Sequence, residues 1–130
     1  MVTFRKFTTS SGKQVLAGKS AENNEQLVQQ IDKNEVVFHT SEPGSPFCNI
    51  KSPSEQVSKQ DIKETAVFCA SRSQDWRDNK KNVVVHYFLG SQIYKLKSMK
   101  TGTFGVKNFK EITIKKKEIQ EFLKKNEKTD

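Results

Sequence analysis

Seven consecutive residues, Val83-Val84-Val85-His86-Tyr87-Phe88-Leu89, constrain the fold of this chain more than any other segment. Apart from His86, each is β-branched, aromatic or aliphatic. Such side chains pack well on a pleated surface, and the branched ones lose rotamer freedom against the preceding turn of a helix, so the run is a strand. Its almost unbroken apolar character predicts a central position. A central strand needs neighbours on both edges, and the rest of the chain must supply them.

Phe4 and Phe7, followed by Thr8-Thr9-Ser10-Ser11, predict a strand that turns at Gly12-Lys13 and returns through Gln14 to Gly18. Ser20 is a candidate N-cap, and Leu27, Val28 and Ile31 share one face of a helix running from Ala21 to Ile31. Val36 to His39 and Phe47 to Ile50 are two short strands meeting at the Pro43-Gly44-Ser45 turn. Ser52-Pro53-Ser54 breaks the chain before a long helix that begins near Ser58 or Asp61, with Ile62, Thr65, Ala66, Cys69 and Ser73 on its inner face. Asp75 to Asn82 is read as a polar loop holding Trp76 and Arg77. Beyond the central strand, Gln92 to Lys97 and Glu111 to Lys115 predict further strands, a loop from Ser98 to Gly102 precedes Thr103-Phe104-Gly105-Val106 between them, and Ile119, Phe122 and Leu123 mark a terminal helix. The order ββαββαβββα predicts an α+β domain, with a mostly antiparallel or mixed sheet and helices packed on one face. No repeat or linker divides the chain, so residues 1–130 form one domain, with about 120–130 expected to fray.

Charge narrows the function. Lys and Arg outnumber Asp and Glu by 23 to 15, a surplus that favours polyanionic partners. No segment approaches the ~20 apolar residues that spanning a bilayer needs, so no membrane partner is expected. Cys48 and Cys69 lie outside any metal-ligand spacing, and the N-terminus lacks the apolar stretch of a signal peptide, so a reducing, cytoplasmic setting is expected. The two histidines, His39 and His86, sit in or beside strands, and Ser45 lacks the Gly-x-Ser-x-Gly elbow of a hydrolase. Neither a phosphate-binding glycine loop nor a His-Glu-x-x-His metal motif is present, so no catalytic residue, metal or cofactor is assigned.

The most pointed constellation surrounds the turn. Gly44 is suited to positive φ and to exposing backbone N–H groups, Ser45 adds a hydroxyl, and His39 adds an imidazole, together an anion nest. Lys13, Lys19 and Lys51 lie at turns, while Lys95 and Lys97 are expected on one face of a strand, two residues apart. Trp76 beside Arg77 has two readings, a platform for an unpaired base or a lid folded over the sheet. Tyr94 and Phe104 are read first as core residues and second as platforms. The candidate RNA-contacting set is His39, Gly44, Ser45, Lys51, Arg72, Trp76, Arg77, Lys95, Lys97 and Lys107.

In order along the chain stand Gly12, Gly18-Lys19, Asn24-Glu25-x-Leu27, Val37-Phe38-His39, Pro43-Gly44-Ser45, Ile50, Pro53-Ser54, the small-residue stretch Ala66 to Ser73, Val83-Val84-Val85 and Thr103-Phe104-Gly105-Val106 with Asn108. This series resembles the NFACT-R family, the RNA-binding domain of NFACT ribosome quality-control proteins, over Phe7 to about Ile114. Two departures stand out: the stretch between His39 and Pro43 is a residue shorter than the common pattern, and Pro46 replaces a polar residue. The resemblance implies a stand-alone RNA-binding module that contacts tRNA or rRNA through shape and backbone, with the large ribosomal subunit as a partner. The alternatives are an adaptor or delivery subunit for RNA modification, and a protein-interaction module for an acidic partner.

Overall fold

The computed structural model describes residues 2–126. Its strands are β1 (Arg5–Thr8), β2 (Gln14–Ala17), β3 (Glu35–Thr40), β4 (Cys48–Pro53), β5 (Val83–Leu89), β6 (Ile93–Tyr94), β7 (Gly105–Val106) and β8 (Lys110–Ile114). Its α-helices are α1 (Ala21–Gln29), α2 (Lys59–Ser71), α3 (Gln74–Asn79) and α4 (Lys116–Asn126). Six strands form one sheet in the order β1-β2-β4-β3-β5-β8, and every neighbouring pair is antiparallel. The run that opened the sequence reading is thus an interior strand, paired with both β3 and β8, though β3 and β4 hold the centre.

Alternation sorts the side chains onto two faces. Val15, Ala17, Val36, Phe38, Cys48, Ile50, Val83, Val85 and Ile114 join Ala66, Phe68, Cys69, Trp76 and Ile119 in the larger core. Phe7 stacks on Phe68 at 4.8 Å, and Phe122 meets both rings edge-on. This contact keeps α4 helical through Asn126 rather than fraying from about 120; the rest of the expected tail lies outside the described residues.

The other face is not bare. Leu27, Val37, Phe47 and Phe88 form a second buried cluster, joined by Val28, Ile31, Ile93, Phe104 and Val106. The apolar stripe of α1 therefore lies across the face opposite α2 and α4, beside the small β6–β7 ribbon, whereas all helices were expected on one side. The reason is the register of β3 and β5: Val37 pairs with Phe88, and both point away from the larger core. Fully burying Leu27 there is worth roughly 1.5–3 kcal/mol.

Local chemistry starts each helix. Ser20 Oγ accepts from the Asn23 N–H at 3.1 Å. Ser58 and Asp61 form a reciprocal capping box, with Ser58 Oγ accepting from the Asp61 N–H (3.0 Å) and Asp61 Oδ2 accepting from the Ser58 N–H (3.1 Å). Asp61 also accepts from Ser11 Oγ at 2.6 Å, which locks the first hairpin onto α2. The stretch read as a polar loop is the helix α3. Ser73 Oγ accepts from the Trp76 N–H (3.1 Å), and Lys80 at φ 50° ends the helix. A six-residue helix with one buried side chain leaves no apolar periodicity to read.

Candidate nucleic-acid interface

The β3–β4 turn is held from several sides. Ser45 is buried, and its Oγ accepts from the Thr40 N–H at 3.0 Å. The Ser41 N–H donates to the Val84 carbonyl (2.9 Å), and the Gln74 N–H donates to the Gly44 carbonyl (2.8 Å), so the turn is tied to β5 and to α3. Gly44 has φ +88°, and a Cβ there would stand 2.8 Å from Gln74 Cβ, so conformation and space both require glycine.

His39 and His86 are direct partners in the β3–β5 ladder, so both imidazoles lie on the face opposite the larger core. His39 Nδ1 is 2.8 Å from the Thr40 carbonyl, and the ring packs on Phe47 at 4.6 Å. Burial pushes its pKa below the ordinary imidazole value, and the Thr40 carbonyl opposes that shift only in part. Burial lowers the pKa of His86 as well, with Glu111 pulling the other way; the ring stacks on Phe109 at 4.0 Å.

These groups line a cavity of about 460 Å³. It is lined by the buried Phe47 and Phe88 and by His39, His86 and Phe104. Its walls are the Pro43–Pro46 turn, the start of α1 at Gly18 to Ala21, and the 101–104 loop. Arg5, Lys19, Arg72 and Arg77 supply four permanent cations, and among the described residues no carboxylate lines the cavity. Arg77 donates to Gln74 Oε1 (3.0 Å) and to the Arg72 carbonyl (3.3 Å), neither a charge partner. Arg72 Nε is buried with no hydrogen-bond partner, an arrangement that costs stability unless something fills it. Among the described residues, Lys19 Nζ donates only to the Thr3 hydroxyl, at 3.2 Å.

The Asn24-Glu25-x-Leu27 series now has a physical account. Asn24 Oδ1 accepts from the Phe47 N–H at 3.2 Å, and a Cβ on Gly18 would overlap that same oxygen. Glu25 Oε1 accepts from the Gly102 N–H (2.7 Å) and from Lys95 Nζ (2.6 Å), which fastens the 101–104 loop to α1. Leu27 anchors the helix on the sheet.

Of the candidate set, His39, Gly44, Ser45, Arg72 and Arg77 meet at this cavity. The others do not. Lys51 lies at the far end of the β3–β4 hairpin, paired with Glu35 Oε1 at 2.7 Å. Lys95 is not on a sheet face: the strand ends at Tyr94, and Nζ is engaged by Glu25, the Lys100 carbonyl and the Thr103 carbonyl. Lys97 sits in the exposed turn that follows, and Lys107 is exposed beyond β7, outside the cavity lining. Trp76 is 4% exposed and packs into the larger core, so the lid reading holds and the platform reading falls. Arg5, Lys19 and His86 complete the cavity; their positions on β1, before α1 and on β5 meet only through sheet order. Cys48 and Cys69 are free and buried.

Residues 3–108 match the family described as NFACT protein RNA binding domain. The chain belongs to that family. Every residue that lines the cavity, from Arg5 to Val106, falls within the NFACT match. The chain is 37% identical over 73 residues to the archaeal Rqc2 homolog aRqcH of Methanocaldococcus jannaschii, a match that takes in 55% of this chain and 11% of that protein. Its fold matches the C-terminal part of the fibronectin/fibrinogen-binding protein from Streptococcus suis, with a TM-score of 0.79 at 18% identity, over 92% of this chain and 48% of that one. The chain thus spans about a tenth of the curated relative's length and about half of the solved structure's.

Proposed function

We propose that this chain is an RNA-binding module that holds tRNA or rRNA by its phosphates in ribosome-associated quality control, without catalysing a reaction on it. The observation that carries the reading is the cavity itself: Arg5, Lys19, Arg72 and Arg77 converge with no carboxylate lining it among the described residues. Guanidinium groups suit phosphate because their planar donors match its oxygens in pairs. Family membership supports RNA as the polyanion, and the archaeal relative's name supports the quality-control setting. Two free, buried cysteines support a reducing, cytoplasmic setting.

The test is an affinity measurement on tRNA and on rRNA fragments at moderate salt, paired with an acidic protein of equal net charge as competitor. Binding to RNA that the acidic protein does not displace is the expected result. Absence of RNA binding, or co-purification with a protein partner that survives nuclease treatment, overturns the proposal in favour of the protein-interaction alternative.

A further inference from the structure

Phosphate contacts alone need only a rim of donors, yet five aromatic rings line this cavity. Its volume of about 460 Å³ falls in the ~300–1,000 Å³ range of pockets that enclose a small organic ligand. The buried rings of Phe47 and Phe88 line it together with His39, His86 and Phe104, each of which has one face packed, on Phe47, on Phe109 and under Lys95 Nζ respectively. Burial favours neutral imidazoles in His39 and His86, so those rings offer flat surfaces as well as polar edges. A double-helical backbone has no group that reaches such rings, because its bases are stacked and paired.

Resting on the RNA-binding reading above, we infer that the cavity receives one unstacked nucleotide of an RNA loop, bulge or end. The base lies among the rings, and its phosphates meet Arg72, Arg77 and Lys19. The start of α1 supports the same assignment, since Ser20 and Ala21 turn the positive end of that helix toward the cavity. A group of lysines lies at the turn end of the sheet. Asn82 Oδ1 accepts from the Lys116 N–H at 2.9 Å, joining Lys80 and Lys81 to Lys115, Lys116 and Lys117 beside the Val83–Ile114 pair. The β3 turn lies at this same end of the sheet, since Thr40 pairs with Val85. Flanking phosphates of the bound strand follow those lysines. Stacking on rings tolerates any base, so the site distinguishes unpaired from paired RNA rather than one base from another.

The experiment compares a blunt RNA duplex with a stem-loop of the same length, for the wild-type chain and for Thr103→Trp, a bulky substitution at an exposed residue of the cavity wall. The expected result is a preference for the stem-loop of about tenfold or more, the size of one stacked base. Thr103→Trp, which fills the cavity, is expected to remove that preference while weakening duplex binding by a smaller factor than stem-loop binding, and a preference retained in full overturns the inference. Equal affinity for duplex and loop in the wild type overturns this inference and leaves the RNA-binding reading standing. Failure to bind either RNA overturns both. Should Thr103→Trp not fold, amide NMR of the wild-type chain with uridine monophosphate decides. Shifts gathered at Ser45, Phe47 and Gly102 support the nucleotide site. Shifts that inorganic phosphate reproduces in full overturn it.

Discussion

The molecule carries its positive charge in two ways, and the contrast locates its function. Around the cavity, Lys19, Arg72 and Arg77 reach no carboxylate among the described residues. Elsewhere four lysines pair with carboxylates: Lys51 with Glu35 at 2.7 Å, Lys95 with Glu25 at 2.6 Å, Lys63 with Glu118 at 2.6 Å and Lys13 with Asp61 at 3.9 Å. The second group fastens loops and strands. The first is left available to a ligand. A formal net charge of +8 says that a polyanion is attracted; only the pairing of each cation says where it is held.

The sharpest way to break this contrast is to remove the unpaired group. Arg72→Gln with Arg77→Gln is expected to weaken RNA binding about 30- to 150-fold, at about 1–1.5 kcal/mol for each lost charged contact. The melting temperature is expected to stay near the wild-type value, because neither guanidinium holds a carboxylate. Binding by fluorescence anisotropy and a thermal melt check the pair.

Asp61 tests the other group. Burial alone would raise its pKa, but the Ser11 hydroxyl, the Ser58 N–H and the Thr9 hydroxyl outweigh that and hold it at about 2. A carboxylate lowered from 3.8 to about 2 contributes about 2 kcal/mol at neutral pH. The sign is fixed by linkage: this stability is complete above pH 3.8 and is lost as pH falls through about 2. Asp61→Asn is therefore expected to destabilise the fold by about 2 kcal/mol at pH 7 and by little near pH 2, read from urea melts at both values.

Lys51→Met is expected to cost about 1–2 kcal/mol of stability, since it strands the buried Glu35 carboxylate. RNA affinity should stay within about twofold of wild type. A larger fall in affinity would return Lys51 to the binding surface. The smallest effect belongs to Glu25→Gln. It loosens the ties to Lys95 Nζ and the Gly102 N–H, so hydrogen exchange at Gly102 and Thr103 is expected to quicken while the global melt barely moves.

Much of the fold could be read from the residues alone, because its signals are local. The Val83–Leu89 run, the Ser58 cap, the Gly12 turn and the Pro43-Gly44-Ser45 turn each depend on neighbours within a few positions. The half of the candidate site carried by the turn was legible for the same reason. The pairings of Lys51 and Lys95, which lie outside the cavity, were not legible because the partners are distant: Glu35 is 16 residues from Lys51 and Glu25 is 70 from Lys95, and no pattern in the chain announces either pair. Trp76 was hidden by its polar neighbours on a helix too short to show a period. Arg5 and His86 reach the cavity only through a strand order in which β4 lies between β2 and β3.

The most direct test of the central claim is the salt dependence of RNA affinity in three proteins: the wild type, Arg72→Gln with Arg77→Gln, and Lys51→Met with Lys97→Met. If the cavity arginines hold phosphates, the slope of log affinity against log salt should shrink by about 1.4–1.8 in the arginine variant, roughly 0.7–0.9 per lost phosphate contact. It should be unchanged in the lysine variant. An unchanged slope in the arginine variant, with a reduced slope in the lysine variant, would contradict the account.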